Sequence, residues 1–348
     1  MSVTFERPHA LGTHRVVEPA GAMPQSAWKI DCTPVACENE ILCDVETLNI
    51  DSASFKQIAD AEGGDPAKIA SHVEGIVRER GKQHNPVTGS GGMFIGTVRE
   101  VGRALRGVDV TPGDRIASLV SLTLTPLCLE SIERVDVATG RIWVTAQAIL
   151  FQSGLWAKLP TDIDENVALA VLDVAGAPAQ VRRLAKAGST VVVIGADGKS
   201  GMFSCAQAKA RGARVVGVVP DRATPSARLL VEAGLVDALL QADARDALGL
   251  SAAVADVAPT LADLVVNCVN VPGTELGSIL CTKDEGTVYF FSMSTSFTAA
   301  ALGAEGVGKD VTMIVGNGYC KGHADVALQT LRDNPAIHAY FNAKYQGA

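Results

Sequence analysis

Gly195, Gly198 and Gly201 stand three residues apart, directly behind the apolar run Val191-Val192-Val193-Ile194 and ahead of Met202-Phe203-Ser204-Cys205-Ala206. A dinucleotide needs that order. The first glycine permits a tight turn out of a buried strand. The second lets main chain approach a pyrophosphate, and the third lets the following helix pack closely on the strand. The helix start then offers the phosphates its N–H groups, here within Asp197, Gly198, Lys199, Ser200 and Gly201, and the positive end of its dipole. Asp221 lies 20 positions beyond Gly201, where an acid commonly holds the adenosine ribose of NAD. Val219 and Pro220 push it past the usual strand end, and its neighbour Arg222 offers a partner to a 2′-phosphate. NAD is therefore the expected cofactor, with NADP as the alternative.

The elements around this loop read as a parallel sheet. Thr190-Val-Val-Val-Ile, Arg214-Val-Val-Gly-Val-Val, Leu264-Val-Val-Asn-Cys and Thr287-Val-Tyr-Phe-Phe lack polar alternation. Such strands are buried on both faces, as in a sheet covered by helices. Helical segments such as Ser204 to Arg211 and Ser226 to Ala233 lie between them. In open α/β sheets ligands gather at the carboxyl ends of strands. Asn267, Val269 and Asn270 after the fourth strand, and Ser292 and Met293 after the fifth, are thus expected on the nicotinamide side.

The first half is β-rich. Glu40-Ile-Leu-Cys-Asp-Val-Glu-Thr-Leu alternates as a half-buried strand does, Met93-Phe-Ile-Gly-Thr-Val follows the punctuation Gly89-Ser-Gly-Gly, and the turn Thr111-Pro-Gly-Asp leads into Arg115-Ile-Ala-Ser-Leu-Val. Between them a helix begins at Asp65-Pro66, ends near Gly81 and places Ile69, Val73, Ile76 and Val77 on one face.

The 348 residues suggest two domains. A net charge of −8, from 38 acids against 30 bases, argues against a nucleic-acid binder. No apolar stretch has the length of a signal core or a membrane span. None of the eight cysteines forms a C-x-x-C pair, so reduced thiols in a cytoplasmic protein are expected rather than a disulfide framework or a zinc site.

Together these segments resemble the medium-chain dehydrogenase/reductase superfamily over most of the chain. The likeness rests on Asn39-Glu-Ile-Leu-Cys-Asp-Val, Gly89-Ser-Gly-Gly-Met-Phe-Ile-Gly-Thr-Val, Pro112-Gly-Asp-Arg-Ile, Ala187-Gly-Ser-Thr-Val-Val-Val-Ile-Gly and Lys209-Ala-Arg-Gly-Ala-Arg-Val. It implies an α/β protein with a GroES-like β-rich domain over residues 1–161 and a Rossmann dinucleotide-binding domain over 162–320. Residues 321–348 would return to the first domain. Val311-Thr-Met-Ile-Val resembles the edge strand through which many members dimerise, so a homodimer is expected.

Four further runs are similar to the L-erythro-3,5-diaminohexanoate dehydrogenase family. They are Gly12-Thr-His-Arg-Val-Val-Glu-Pro, Leu48-Asn-Ile-Asp-Ser-Ala-Ser-Phe, His84-Asn-Pro-Val-Thr-Gly-Ser-Gly-Gly-Met and Val171-Leu-Asp-Val-Ala-Gly-Ala-Pro-Ala-Gln. This resemblance implies oxidative deamination at C3 of a diamino acid in lysine fermentation. The zinc-dependent branch of the superfamily places a cysteine where this chain has Asp51, a Gly-His-Glu where it has Gly89-Ser-Gly, and four close cysteines where it has only Cys128. A catalytic zinc needs about three protein ligands, so none is expected.

The implied substrate is a small cationic amino acid with two ammonium groups and one carboxylate. Asp51 and Asp173, at positions like those of metal ligands, are expected to face the nicotinamide cleft and pair with the cations. Hydride transfer requires a neutral amine, so a proton acceptor must be in reach; an aspartate or His84 is the candidate. Ser52 and Thr88 are candidate substrate hydrogen-bonding groups, and Lys321 a candidate partner for the carboxylate. Two other readings stay open: a zinc-independent quinone or enone reductase, and a non-catalytic protein that binds a dinucleotide.

Overall fold

A computed structural model describes residues 8–316 and 318–346, apart from the side chains of residues 52 and 53. The chain divides into two units, the first ending at Thr161 and the second beginning at Asp162.

The first unit opens with a small antiparallel pair, β1 (Val16–Glu18) and β2 (Lys29–Ile30). Its main sheet takes β3 (Glu40–Ile50), β4 (Gly92–Val101), β5 (Arg115–Ser118), β6 (Leu127–Asp136), β7 (Arg141–Phe151) and β8 (Trp156–Lys158). They lie in the order β6-β7-β3-β4-β5-β8, every pairing antiparallel. Because β3 sits between β7 and β4, its alternation is blurred; only Glu46 is exposed along it. Two helices, α1 (Ser52–Ala61) and α2 (Pro66–Arg80), leave the sheet at the end of β3. Asp65 caps α2 by accepting from the N–H groups of Ala67 and Lys68, and Gly81 ends it with φ +71°. The stripe Ile69, Val73, Ile76 and Val77 is buried as its spacing requires. The core joins it to Phe55, Ile58, Leu48, Phe94 and Ile142.

The second unit begins with α3 (Glu165–Leu172) and α4 (Gly176–Leu184). There follow β9 (Thr190–Ile194), α5 (Lys199–Ala210), β10 (Arg214–Val219), α6 (Pro225–Glu232), β11 (Ala238–Gln241), α7 (Ala247–Val257), β12 (Ala262–Asn267), α8 (Glu275–Leu280), β13 (Thr282–Phe290), α9 (Phe297–Val307) and β14 (Val311–Val315). All six strands are parallel, in the order β11-β10-β9-β12-β13-β14. The winding reverses at β9, which opens a crevice at the carboxyl ends of β9, β10 and β12. Val191 to Ile194 are wholly buried, each contributing roughly 1.5–3 kcal/mol of burial free energy.

The remaining helices, α10 (His323–Asp333) and α11 (Pro335–Tyr345), correct one expectation. Residues 321–348 were expected to return to the β-rich unit. Instead, the helices they form pack in the second unit, α10 on α3, α4 and α5, and α11 on α3. The cause is apolar: the Phe341 ring stands edge-on to the Phe203 ring of α5 at 5.2 Å, both wholly buried. Gln207 of α5 also donates to the Thr330 hydroxyl at 2.6 Å.

Candidate active site

In the second unit the loop after β9 has the geometry its glycines call for. Gly195 adopts φ +79°, a conformation open to glycine. A Cβ on Gly201 would strike the Gly195 carbonyl oxygen and come within 2.7 Å of the Ala196 Cα, so glycine is what lets α5 start against the strand. Gly198 differs. Its φ is −77°, and a Cβ there would meet only the Gly195 oxygen, at 3.4 Å. Nothing within the chain demands glycine at 198, which fits a surface kept bare for a ligand. Gly198 is also the N-cap of α5 without a side-chain cap, so the first-turn N–H groups are left for an anion.

A cavity of 590 Å³ opens beside this loop, lined by Gly195, Asp197, Gly198, Val218 and Pro220, with Asp243, Arg245, Cys268, Val269 and Thr274. It lies at the carboxyl ends of the strands, where open α/β sheets gather their ligands. Burial raises the pKa of Asp197. Lys199 turns from the loop to Asp173, the C-cap of α3, at 2.6 Å. Burial alone would lower the Lys199 pKa, but Asp173 outweighs it and the ammonium's pKa is raised. Ser200 lies in the first turn of α5.

Asp221 and Arg222 are exposed and do not line the cavity. One Asp221 oxygen accepts from the Ala223 N–H at 2.8 Å, a turn bond, and the Arg222 N–H donates to Gln241. Besides Asp197, the acid that lines the groove is Asp243, after β11, gripped by the guanidinium of Arg245 at 2.8 Å. That grip holds its carboxyl down at about 2. Sequence reading missed this pair because it measured along the chain from the loop rather than across the sheet to the next strand end.

Asn267 is pinned within the protein. Its amide nitrogen donates to Thr274 and Ser278 at 2.8 and 3.0 Å, and its oxygen accepts from the Val269 N–H. It shapes the β12 end and has no amide hydrogen left for a ligand. Val269 itself approaches Gly195 closely, as a Cβ on that glycine would lie 2.8 Å from its methyl. Asn270 accepts from Ser294, the Ser292 N–H donates to the Asn267 carbonyl, and Met293 is 87% exposed. Lys321 is exposed just before α10.

In the first unit Asp51 is the N-cap residue of α1 yet makes no side-chain cap. Its carboxylate instead accepts from the Gly91 N–H at 3.1 Å, which fastens it to the loop before β4. Beside it in sequence, the buried Ser54 hydroxyl contacts the hydroxyls of Thr88 and Ser90, each at 2.5 Å. Asn85 orders the same loop by accepting from the Val87 and Thr88 N–H groups. Asp51 and Thr88 are thus gathered at one place, with Ser54, Ser90 and Gly91 as additions. Ser54 was signalled only by its position three residues beyond Asp51, one helical turn. The side chain of Ser52 lies outside the described residues. His84 sits on the same loop, half-buried, with Nδ1 sealed from water and unpartnered. Burial, then Lys82 and Arg80, push its pKa down to about 4.

Among the described residues, one group of three potential metal donors is close enough to share an ion: His14, Cys37 and Glu40. Both oxygens of Glu40 are already held by Arg15 at 2.7 Å, with His14 on one of them at 2.8 Å. The guanidinium supplies the positive charge a metal would bring.

A family model described as the N-terminal domain of L-erythro-3,5-diaminohexanoate dehydrogenase matches residues 14–160. Over 339 residues the chain is 52% identical to the L-erythro-3,5-diaminohexanoate dehydrogenase of Acetoanaerobium sticklandii, covering 96% of this chain and 98% of that one. The protein of the same name from Fusobacterium nucleatum is 49% identical over the same shares. The chain belongs to the L-erythro-3,5-diaminohexanoate dehydrogenase family. Its fold is that of the medium-chain oxidoreductases: a quinone oxidoreductase from Coxiella burnetii superposes with a TM-score of 0.54 over 90% of this chain and 89% of that one, at 16% identity. The part matched by the family model contains Asp51, Ser54 and the whole 84–91 loop.

Proposed function

We infer that the chain oxidises the C3 amine of L-erythro-3,5-diaminohexanoate with NAD as acceptor, giving 5-amino-3-oxohexanoate and ammonium. The identity of 52% along nearly the whole chain carries this reading. The change balances as diamino acid, NAD⁺ and water becoming keto acid, ammonium, NADH and a proton. The dinucleotide's part is to accept a hydride; the chain's residues bind, orient and move protons.

The bare Gly198 and the uncapped start of α5 suit a diphosphate. In this reading Asp243 replaces Asp221 as the acid near the adenosine ribose, which favours NAD, and the charge on Arg245 leaves NADP as a weaker ligand. Asp51, anchored through Gly91, pairs with the C3 ammonium and takes its proton, and the Ser54, Thr88 and Ser90 hydroxyls orient the amine. His84 at about 4 is too weak a base to lead this step. Asp173, bound to Lys199, steadies the phosphate-binding helix.

No zinc takes part in this scheme, since Asp51 stands where the zinc branch has its cysteine. We place the enzyme in the cytoplasm, acting on a small cationic amino acid without nucleic acid or membrane partners. Among the described residues no helix is long and apolar enough to cross a membrane. A homodimer joined through β14 is supported by that strand's place at the sheet edge and by the 67% exposure of Val315.

The test is a pair of assays on one preparation, NAD reduction with 3,5-diaminohexanoate and NADPH oxidation with quinones. Turnover in the first alone is expected. Turnover only in the second would replace this reading with a reductase, and dinucleotide binding with neither would leave a non-catalytic protein.

A further inference from the structure

Cys32 follows β2 and Cys128 lies in β6, yet Cys128 stands near enough to help push the pKa of the Cys32 thiol up. Gly81 brings their segments together. Its carbonyl accepts from the Leu127 N–H at 2.9 Å, and a Cβ on it would sit 3.6 Å from the Cys32 Cβ. Both cysteines are partly exposed, and both line a cavity of 270 Å³ with Glu74, Arg78 and Glu130. Four of the other six, Cys43, Cys205, Cys281 and Cys320, are buried.

We propose that Cys32 and Cys128 form a dithiol site that small disulfides, cationic ones above all, convert into an intramolecular disulfide. One cysteine, as thiolate, attacks a sulfur of the small disulfide and releases one small thiolate, leaving a mixed disulfide. The second cysteine, as thiolate, attacks the protein sulfur of that bond and releases the other. Two protein thiols are oxidised, one small disulfide is reduced to two thiols, and the two protons go to the departing thiolates. No further oxidant is required.

Charge sets the preference. Glu74 and Glu130 line the cavity and Asp31 lies beside Cys32, while Arg78 faces Glu74 at 4.0 Å. Three acids against one base attract a cationic reagent and repel an anionic one, most strongly at low salt. Burial, then Cys128 and Asp31, push the Cys32 thiol up to about 11. Closure is therefore slow at neutral pH and faster in alkali. A thiol of high pKa is also a poor leaving group, so the closed form resists reopening.

The test uses the intact protein at low ionic strength with three probes: cystamine, glutathione disulfide and phenylarsine oxide. Cystamine should remove two free thiols, leave no retained adduct and yield a peptide joining Cys32 to Cys128, at about ten times the rate with glutathione disulfide. Phenylarsine oxide, which releases water on capture by two neighbouring thiols, should bind at one equivalent and block that reaction. Cys32→Ser and Cys128→Ser should each abolish arsenical capture and leave a lasting mixed disulfide on the remaining cysteine. A lasting mixed disulfide in the unsubstituted protein, or cross-linking elsewhere, would overturn the pairing. Equal rates with the two disulfides would overturn the charge preference. Because turnover is not measured, these outcomes are independent of the proposed reaction.

Discussion

The Lys199 ammonium lies 2.6 Å from the Asp173 carboxylate, tying the first residue of α5 to the end of α3. Each side chain is about a third exposed, so the pair is worth at most about 1 kcal/mol. Removing the cation should weaken dinucleotide binding by about two- to fivefold in Lys199→Met. Asp173→Asn keeps the cation and loses only its counter-ion, so the dinucleotide Kd should stay within about twofold and kcat within about threefold. Equilibrium titration and steady-state kinetics check both. A collapse of kcat in Asp173→Asn would instead place this acid at the reacting amine.

Two glycines of one loop should respond to the same substitution in opposite ways. Gly201→Ala forces a methyl into the Gly195 carbonyl and should cost about 1–3 kcal/mol or more, lowering Tm by several degrees. Gly198→Ala meets almost nothing in the protein. Its Tm should hold within about 2 °C, while dinucleotide affinity falls about tenfold or more. Thermal melts with and without NAD separate the two effects.

Glu40 is the counter-charge of a fully buried arginine. Burial alone would raise its pKa, but hydrogen bonds from Arg15 and then His14 overcome this and hold it at about 2, against 4.5 for a free glutamate. A depressed carboxylate contributes stability that is complete above pH 4.5 and is lost as pH falls through 2. The shift corresponds to roughly 3 kcal/mol. Urea unfolding at pH 7, 4 and 3 should show that decline, and Glu40→Gln should remove it while costing about 3–5 kcal/mol at neutral pH.

Asp51→Asn preserves an oxygen for the Gly91 N–H and removes only charge and basicity. Its kcat/KM for the diamino acid should drop by about 10²–10⁴ with dinucleotide affinity unchanged. His84→Gln, which replaces a group already neutral at working pH, should stay within about threefold. Equal losses in the two variants would move the base to His84.

Local chemistry was legible in the sequence; long-range destinations were not. The strand through Val192, the loop from Gly195 to Gly201, and the helix from Asp65 to Gly81 are each specified by residues adjacent in the chain. Helix α1 was passed over because its opening, Asp51-Ser-Ala-Ser, has the composition of a turn. Asn267 read as a ligand contact because it ends a strand, while the partners that use up its amide, Thr274 and Ser278, come from the following loop and helix. Asp243 escaped notice because its place in the groove follows from β11 lying next to β10. The destination of α10 and α11 depends on which apolar surface Phe341 meets, and no neighbouring residue encodes that.

The contact between Phe203 and Phe341 also bears on synthesis. Helix α5 packs on α4, β9 and β10, but the ring that stands against Phe203 belongs to a segment translated more than a hundred positions later. Through much of elongation a ribosome-bound chain would carry the Phe203 ring without the ring that faces it in the folded protein. The nucleotide pocket should mature after its own residues have long left the exit tunnel.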